Sequence, residues 1–245
     1  FVGTDLHRTK HRGIDRTFAQ LVDRERLWTH LGNRTLVLAL DHLRDGFTSH
    51  GHSLIELDAC GPGDAHIQGT DAGAFLDKVY ANTFSTLAVG KCRYGLMLRE
   101  DGIVYDDGTT SRLAEDHYVM TTTTANAAKV MAQMEFAHQA LFPDLDVTYV
   151  SVTEQWAQMA VAGPKARATL QKLVDDLVMT DETVPYIAAL EVTIMHGIPA
   201  RLFRLSFSGE HAYELAVPAD YGSMVARAVM LLPSPWTPMP GTLRS

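Results

Sequence analysis

The sequence predicts an α+β protein made of two copies of one strand–helix–sheet unit. Three observations carry this: one motif recurs at an offset of 94 residues, a second recurs at 95, and a strand-rich stretch precedes each copy of the second. The first pair is Ile67-Gln68-Gly69-Thr70-Asp71-Ala72, leading into FLDKVY, and Val161-Ala162-Gly163-Pro164-Lys165-Ala166, leading into TLQKLV. In each copy an apolar strand ends at a glycine, which lets the chain turn tightly. Asp71 and Pro164 then open a helix, because Asp caps helix starts and Pro fits a first turn. The second pair is Glu115-Asp116-His117-Tyr118-Val119-Met120 before ANAAKVMAQMEFAHQAL, and Glu210-His211-Ala212-Tyr213-Glu214-Leu215 before DYGSMVARAVM. The stretches YGLMLREDGIVYDDGTTSRL and AALEVTIMHGIPARLFRLSFSG read as strands joined by hairpin turns. Strands outside a strict βαβ alternation point to helices packed on mainly antiparallel sheets.

Ahead of the first copy, Phe18, Leu21, Val22, Trp28 and Leu31 recur at helical spacing and Gly32-Asn33 stops the helix. Thr35 to Leu40 (TLVLAL) reads as a short buried strand, SLIEL as another, and RTKHRG and TSHGHS as loops. The last stretch, MLLPSPWTPMPGTLRS, has four prolines in 16 residues and forms no regular element. The organisation is therefore an N-terminal segment (1–57), a first half (58–146), a second half (147–231) and an irregular tail (232–245).

With 245 residues, 46% hydrophobic and 20% charged, the chain can bury a core and is not of disordered or fibrous composition. No apolar run reaches the roughly 18 residues of a membrane span, and the N-terminus lacks a signal-peptide core. Two cysteines, Cys60 and Cys92, are too few for a disulfide framework or a cysteine zinc site. A cytoplasmic location and no membrane partner are expected. The net charge of −8 also argues against nucleic acid. That charge is uneven: residues 1–52 carry +2 and six of the eleven histidines, and the remainder carries −10.

Several motifs have plain readings. Gly61-Pro62-Gly63-Asp64-Ala65-His66 lacks the third glycine of a dinucleotide loop and has Pro between the first two. His7 and His11 sit four apart without a third ligand, so no metal site is expected. Lys129 and Arg167 read as solvent-facing charges. Asp106 and Asp107 are adjacent on a strand, so one faces solvent and the other a packed side or a pocket. A buried carboxylate needs a donor or a cation there. From spacing alone, a solubility pair beside a turn accounts for them equally well.

The string GKCRYGLMLREDGIVYDDGTTSRLAEDHYVMTTTTANAAKVM, extended by SVTEQWAQMAVAGPKA and RLFRLSFSGEHAYELAVPADYG, resembles the folate-binding module at the C-terminal end of sarcosine oxidase α subunits. The wider family holds the glycine-cleavage T-protein aminomethyltransferases and the dimethylglycine oxidases and dehydrogenases. The resemblance covers roughly residues 67–230 and implies the T-protein folate-binding fold. DGIVYDDGTT and Thr123, where T-proteins carry Gly-Gly-x-x-Asp-Asp-Leu and Asn, favour the sarcosine oxidase branch.

By position, the resemblance places Asp107 beside the reactive nitrogens of tetrahydrofolate as the catalytic carboxylate. It places Tyr94 on the folate lining and Glu214 opposite the pterin amino group and ring N–H, with Glu210 as a second acid. Asp106, Thr123 and Phe207, which stands where relatives carry Tyr, complete the cofactor-binding set. Flavin and NAD, and a flavin-bearing β subunit as partner, are implied only for other segments or subunits. Asp58-Ala59-Cys60-Gly61-Pro62-Gly63 departs from the family's Asp-Val-Ser-x-Leu-Gly, residues 1–57 have no counterpart, and the family's C-terminal β-barrel is expected to be lacking in a truncated chain. Three functions stay open: capture of the one-carbon unit of oxidised sarcosine as 5,10-methylenetetrahydrofolate, a glycine-cleavage-type aminomethyl transfer, and a non-catalytic remnant.

Overall fold

The computed structural model describes residues 63–206 and 209–231, with residues 36–39, 54–58 and 231 as backbone only. These residues belong to one compact unit that begins at Thr35. The helix expected over 18–31, His7 and His11, Pro62, Phe207 and the Pro-rich tail lie outside the described residues.

Eleven strands and four α-helices follow in the described residues: β1 (Leu36–Ala39), β2 (Leu54–Asp58), β3 (Ala65–Gln68), α1 (Ala72–Val79), β4 (Lys91–Leu98), β5 (Val104–Ala114), β6 (His117–Met120), α2 (Ala127–Phe136), β7 (Thr148–Ser151), β8 (Trp156–Ala162), α3 (Ala166–Gln171), β9 (Ala189–Ile194), β10 (Ile198–Phe203), β11 (Ala212–Pro218) and α4 (Gly222–Leu231). One sheet runs β4-β5-β6-β3-β7 and the other β1-β2-β8-β11-β10-β9. Every pairing is antiparallel. The α+β expectation holds, and so do the strands expected at TLVLAL and SLIEL.

The duplication is visible strand by strand. Four strands of the first copy, in the order β4-β5-β6-β3, match β9-β10-β11-β8 of the second. The strand ahead of each copy crosses over: β2 pairs with β8 of the second sheet, and β7 pairs with β3 of the first. Hydrogen bonds repeat as well. Gly69 and Gly163 both take positive φ, at 132° and 115°, a region that favours glycine. The carbonyl of Gly69 accepts from Ala72 N–H and that of Gly163 from Ala166 N–H, each at 3.0 Å. The Gly69 N–H donates to Asp116 O at 3.0 Å, and the Gly163 N–H to His211 O at 2.8 Å.

One local expectation is adjusted. Asp71 precedes α1, yet its side chain makes no cap hydrogen bond there; its Oδ2 accepts from the Asp146 N–H at 2.9 Å. The carboxylate thus ties the first helix to the loop before β7.

Each sheet buries its outer face under its own pair of helices. Phe75 and Leu76 of α1 and Val130 and Met134 of α2 pack on Ile67, Met97, Tyr118 and Met120, all at most 1% exposed. In the second half Leu170, Val225 and Val229 cover the sheet that carries Val161, Tyr213 and Leu215. Each such side chain is worth about 1.5–3 kcal/mol relative to exposure. The inner faces of the two sheets turn towards each other, with Cys92, Ala189, Phe203 and Ala216 packed between them.

Candidate functional site

The inner faces are where the polar chemistry collects. A cavity enclosing about 10 Å³ is lined by Asp64, Thr109, Ser111, Val119 and Thr121 from the first half and by Gln158, Arg201, Phe203, Glu214 and Ala216 from the second. The strand registers make these ten residues five equivalent pairs. Ser111 lies opposite Val119 as Phe203 lies opposite Glu214. Thr109 meets Thr121 through the Thr121 N–H to Thr109 O bond, as Arg201 pairs with Ala216. Asp64, one residue before the Ala65–Met120 pair, meets Thr121 as Gln158 meets Ala216. The cavity therefore lies where the duplication brings the same strand positions face to face. A volume of this size has room for about one water.

The two halves furnish those positions differently. The first supplies hydroxyls and the buried Asp64 carboxylate, and Thr109 and Thr121 share a hydrogen bond at 3.0 Å. The second supplies a cation and a second carboxylate. Glu214 is half-buried, and Gln158 Nε2 donates to its Oε2 at 2.8 Å. Arg201 is 6% exposed and lies 3.8 Å over the Trp156 ring, a cation–π stack. Its Nη1 donates to His66 Nε2 at 2.9 Å. His66 must accept there, so its proton sits on Nδ1. Burial first, then Arg201 and His117, pull the His66 pKa down to about 4. The His117 ring, 4.9 Å away, is also held below its usual range, by burial and then by Arg201.

Two buried donor or acceptor atoms in this cluster, Arg201 Nε and His117 Nε2, have no hydrogen-bond partner among the described residues. Glu191 stands 3.8 Å from Arg201 on a side chain 68% exposed, and the charge of the buried Asp64 also acts on the guanidinium. An unsatisfied buried polar group costs about 1–3 kcal/mol.

The residues singled out in the sequence divide between the two faces of the first sheet. Tyr94 pairs with Thr109 and Leu96 with Asp107, so Tyr94 and Asp107 share the inner face with the cavity lining. Both are exposed, Tyr94 at 53%. Burial, then the Asp107 and Glu214 charges, raise the Tyr94 pKa, which puts these three groups within electrostatic reach. Asp106 points the other way. It is 3% exposed and accepts from the Thr123 N–H and from Asn126 Nδ2, each at 3.1 Å. Thr123 is exposed and serves Asp106 through its backbone. Glu210 is exposed in the turn that follows Gly209.

Arg167, read from sequence as a solvent-facing charge, is half-buried. It donates to the Tyr213 hydroxyl at 2.9 Å and pairs with Asp181. Sequence reading passed over Arg201, Gln158, Asp64 and the two threonines. Their signal is alternation on paired strands, which needs the register. Among the described residues no group of three or more metal-ligating side chains is clustered, and no helix is long and apolar enough to cross a membrane.

Residues 51–236 match the family of the GCVT N-terminal domain. The chain belongs to that family. Within it, the chain is 59% identical over 169 residues to sarcosine oxidase subunit alpha of Rhizobium meliloti, covering 69% of this chain and 17% of that protein. It is 37% identical over 153 residues to the aminomethyltransferase of Thermus thermophilus, covering 62% and 42%. The GCVT fold is matched by the glycine cleavage system aminomethyltransferase T of Bartonella henselae, at TM-score 0.58 and 21% identity, over 69% of this chain and 43% of that one. A chain of the heterotetrameric sarcosine oxidase of Corynebacterium sp. U-96, in complex with pyrrole 2-carboxylate, matches at TM-score 0.52 and 12% identity, over 75% and 84%. The GCVT module described here thus spans under a fifth of the α subunits of Rhizobium meliloti and Corynebacterium that it matches.

Proposed function

We propose that this chain is the tetrahydrofolate-binding module of a sarcosine oxidase α-type protein and captures the one-carbon unit of oxidised sarcosine as 5,10-methylenetetrahydrofolate. The observation that carries the reading is the meeting of Tyr94, Asp107 and Glu214 on facing sheets of a GCVT domain. The donor set suits a pterin. The Glu214 carboxylate, held by Gln158, can accept two parallel N–H bonds from a planar amidine edge. The exposed Tyr94 ring offers a stacking face. The enclosed cavity has room for one atom of a ligand, so the ring itself lies at the open rim beside Tyr94, Leu96 and Asp107, all exposed.

When bound, tetrahydrofolate supplies the nucleophilic nitrogens. Asp107, an exposed carboxylate on the rim, would stabilise positive charge on the one-carbon unit and take up the proton that its capture releases. Asp106 anchors the turn behind it by holding Thr123 and Asn126. The flavin-bearing β subunit that oxidises the amine, and a cytoplasmic setting, belong to the same proposal. Identity of 59% to a sarcosine oxidase α subunit, against 37% to an aminomethyltransferase, favours it over glycine-cleavage-type transfer.

The test is product partition with sarcosine and a flavin-bearing partner. Asp107→Ala should keep tetrahydrofolate affinity within a few-fold and lower the initial rate of 5,10-methylenetetrahydrofolate formation about 100-fold, a general-base effect, with formaldehyde rising in its place. An unchanged partition overturns the role given to Asp107.

A further inference from the structure

We infer that Arg201 reads the 4-oxo group of the pterin, with the cavity between the sheets receiving that one oxygen atom, so that Arg201 and Glu214 together fix the orientation of the ring. The inference rests on the folate reading of the same site. Four observations carry it. Arg201 is nine-tenths buried, and its Nε has no hydrogen-bond acceptor among the described residues. The guanidinium cannot swing away: the Trp156 ring lies 3.8 Å beneath it, and His66 fixes Nη1 from the side. Glu191, 3.8 Å away and facing solvent, and the buried Asp64 together offset the Arg201 charge, while Nε still lacks a hydrogen-bond acceptor among the described residues. Arg201 and Glu214 line one cavity, with room for about a single water-sized atom.

That combination matches one ligand edge. The cavity is too small for a carboxylate or a phosphate, and the Arg201 guanidinium on its lining, which can only donate, selects an acceptor atom. Of the two carboxylates on the same lining, the half-buried Glu214 selects donors. A ring edge carrying a carbonyl next to N–H and NH₂ satisfies both at once, and a pterin presents that edge as its 4-oxo, N3–H and 2-amino groups. His66, held neutral by accepting from Arg201, adds no competing charge. The halves explain why only one orientation is served: the position equivalent to Arg201 is Thr109, and that equivalent to Glu214 is Val119.

The experiment compares a matched pair of folates at one reduction level, one with the 4-oxo group and one with 4-amino in its place, by titration calorimetry. Towards a 4-amino ligand, donor meets donor at Arg201. The unaltered chain should prefer the 4-oxo ligand by about 10- to 100-fold, the range of one hydrogen bond to a charged donor. Arg201→Met keeps the bulk over Trp156 and should bring the two affinities within about 3-fold. Thermal unfolding of the variant establishes that it is folded. If it is not, Arg201→Lys, which keeps the charge and loses the fixed fork, should reduce the preference instead. A folded variant with an undiminished preference overturns the inference and leaves the folate site standing. Failure of the unaltered chain to bind either ligand overturns the folate reading and this inference with it.

Discussion

The two halves of the module share a backbone and oppose each other in chemistry. The glycine turns, the bonds from Ala72 and Ala166, and the strand orders coincide. On the inner faces, by contrast, Val119 stands where the second half has Glu214, and Thr109 where it has Arg201. The outer faces diverge too. Position 73 is a glycine into whose space the Tyr118 hydroxyl fits, with an added Cβ only 2.8 Å from it; the equivalent position 167 is an arginine that donates to the equivalent tyrosine, Tyr213. Duplication supplies two facing sheets, and loss of symmetry at five pairs of positions gives the space between them a direction. A symmetric lining would bind a ligand in either of two orientations.

Exchanging residues between equivalent positions breaks this comparison in graded steps. The largest effect is expected from Val119→Glu, which copies the second half's carboxylate into a position 3% exposed. It should cost about 3–5 kcal/mol in denaturant unfolding, because a third carboxylate, this one buried, joins Asp64 and Glu214 on a lining whose one cation is Arg201. Burial raises the folded pKa of such a carboxyl above its unfolded value. The lost stability should therefore return as pH falls towards 4, and a loss that does not depend on pH would contradict the assignment.

A smaller loss, about 1–3 kcal/mol, is expected for Gly73→Arg, because the Cβ also meets Ser85 Cα at 3.0 Å. The reverse exchange, Arg167→Gly, should cost about 1 kcal/mol, mostly through helix propensity, since its ion pair with Asp181 is surface-exposed. Equal effects of the two exchanges in thermal unfolding would refute the packing difference.

The mildest effect concerns His66. Its folded pKa of about 4 lies below the ordinary 6.5, so its contribution to stability is full above pH 6.5 and is lost as pH falls to about 4. Replacing His66 with Gln should flatten stability over that window, read as denaturation midpoints against pH. An unchanged slope would show that His66 is not the group responsible.

How much of this was legible in the sequence depends on which face is asked about. Gly69 and Gly163, with Ala three residues on, announce the duplication because backbone conformation dictates residue type there. The Asp106–Asp107 pair announced that two faces exist, and spacing could not say which carboxylate is buried. The cavity lining stayed hidden for a physical reason. Offsets between equivalent residues drift, because the hairpin between β4 and β5 is longer than that between β9 and β10, and the β5–β6 connection is shorter than the β10–β11 connection. Thr109 and Arg201 are 92 apart, Val119 and Glu214 are 95 apart, and Asp64 and Gln158 are 94 apart. No single shift of the sequence on itself aligns them. Arg167 was misread for a related reason: its partners, Tyr213 and Asp181, come from distant strand and loop positions.

The central claim is that the asymmetric inner face of this GCVT domain binds tetrahydrofolate through Glu214. Titration calorimetry of tetrahydrofolate into the unaltered chain and into Glu214→Val, which restores the first half's residue, tests it most directly. The account predicts binding by the unaltered chain and an affinity about 10- to 100-fold weaker for a folded Glu214→Val variant. Equal affinities for the two chains, or no heat of binding in either, would contradict it.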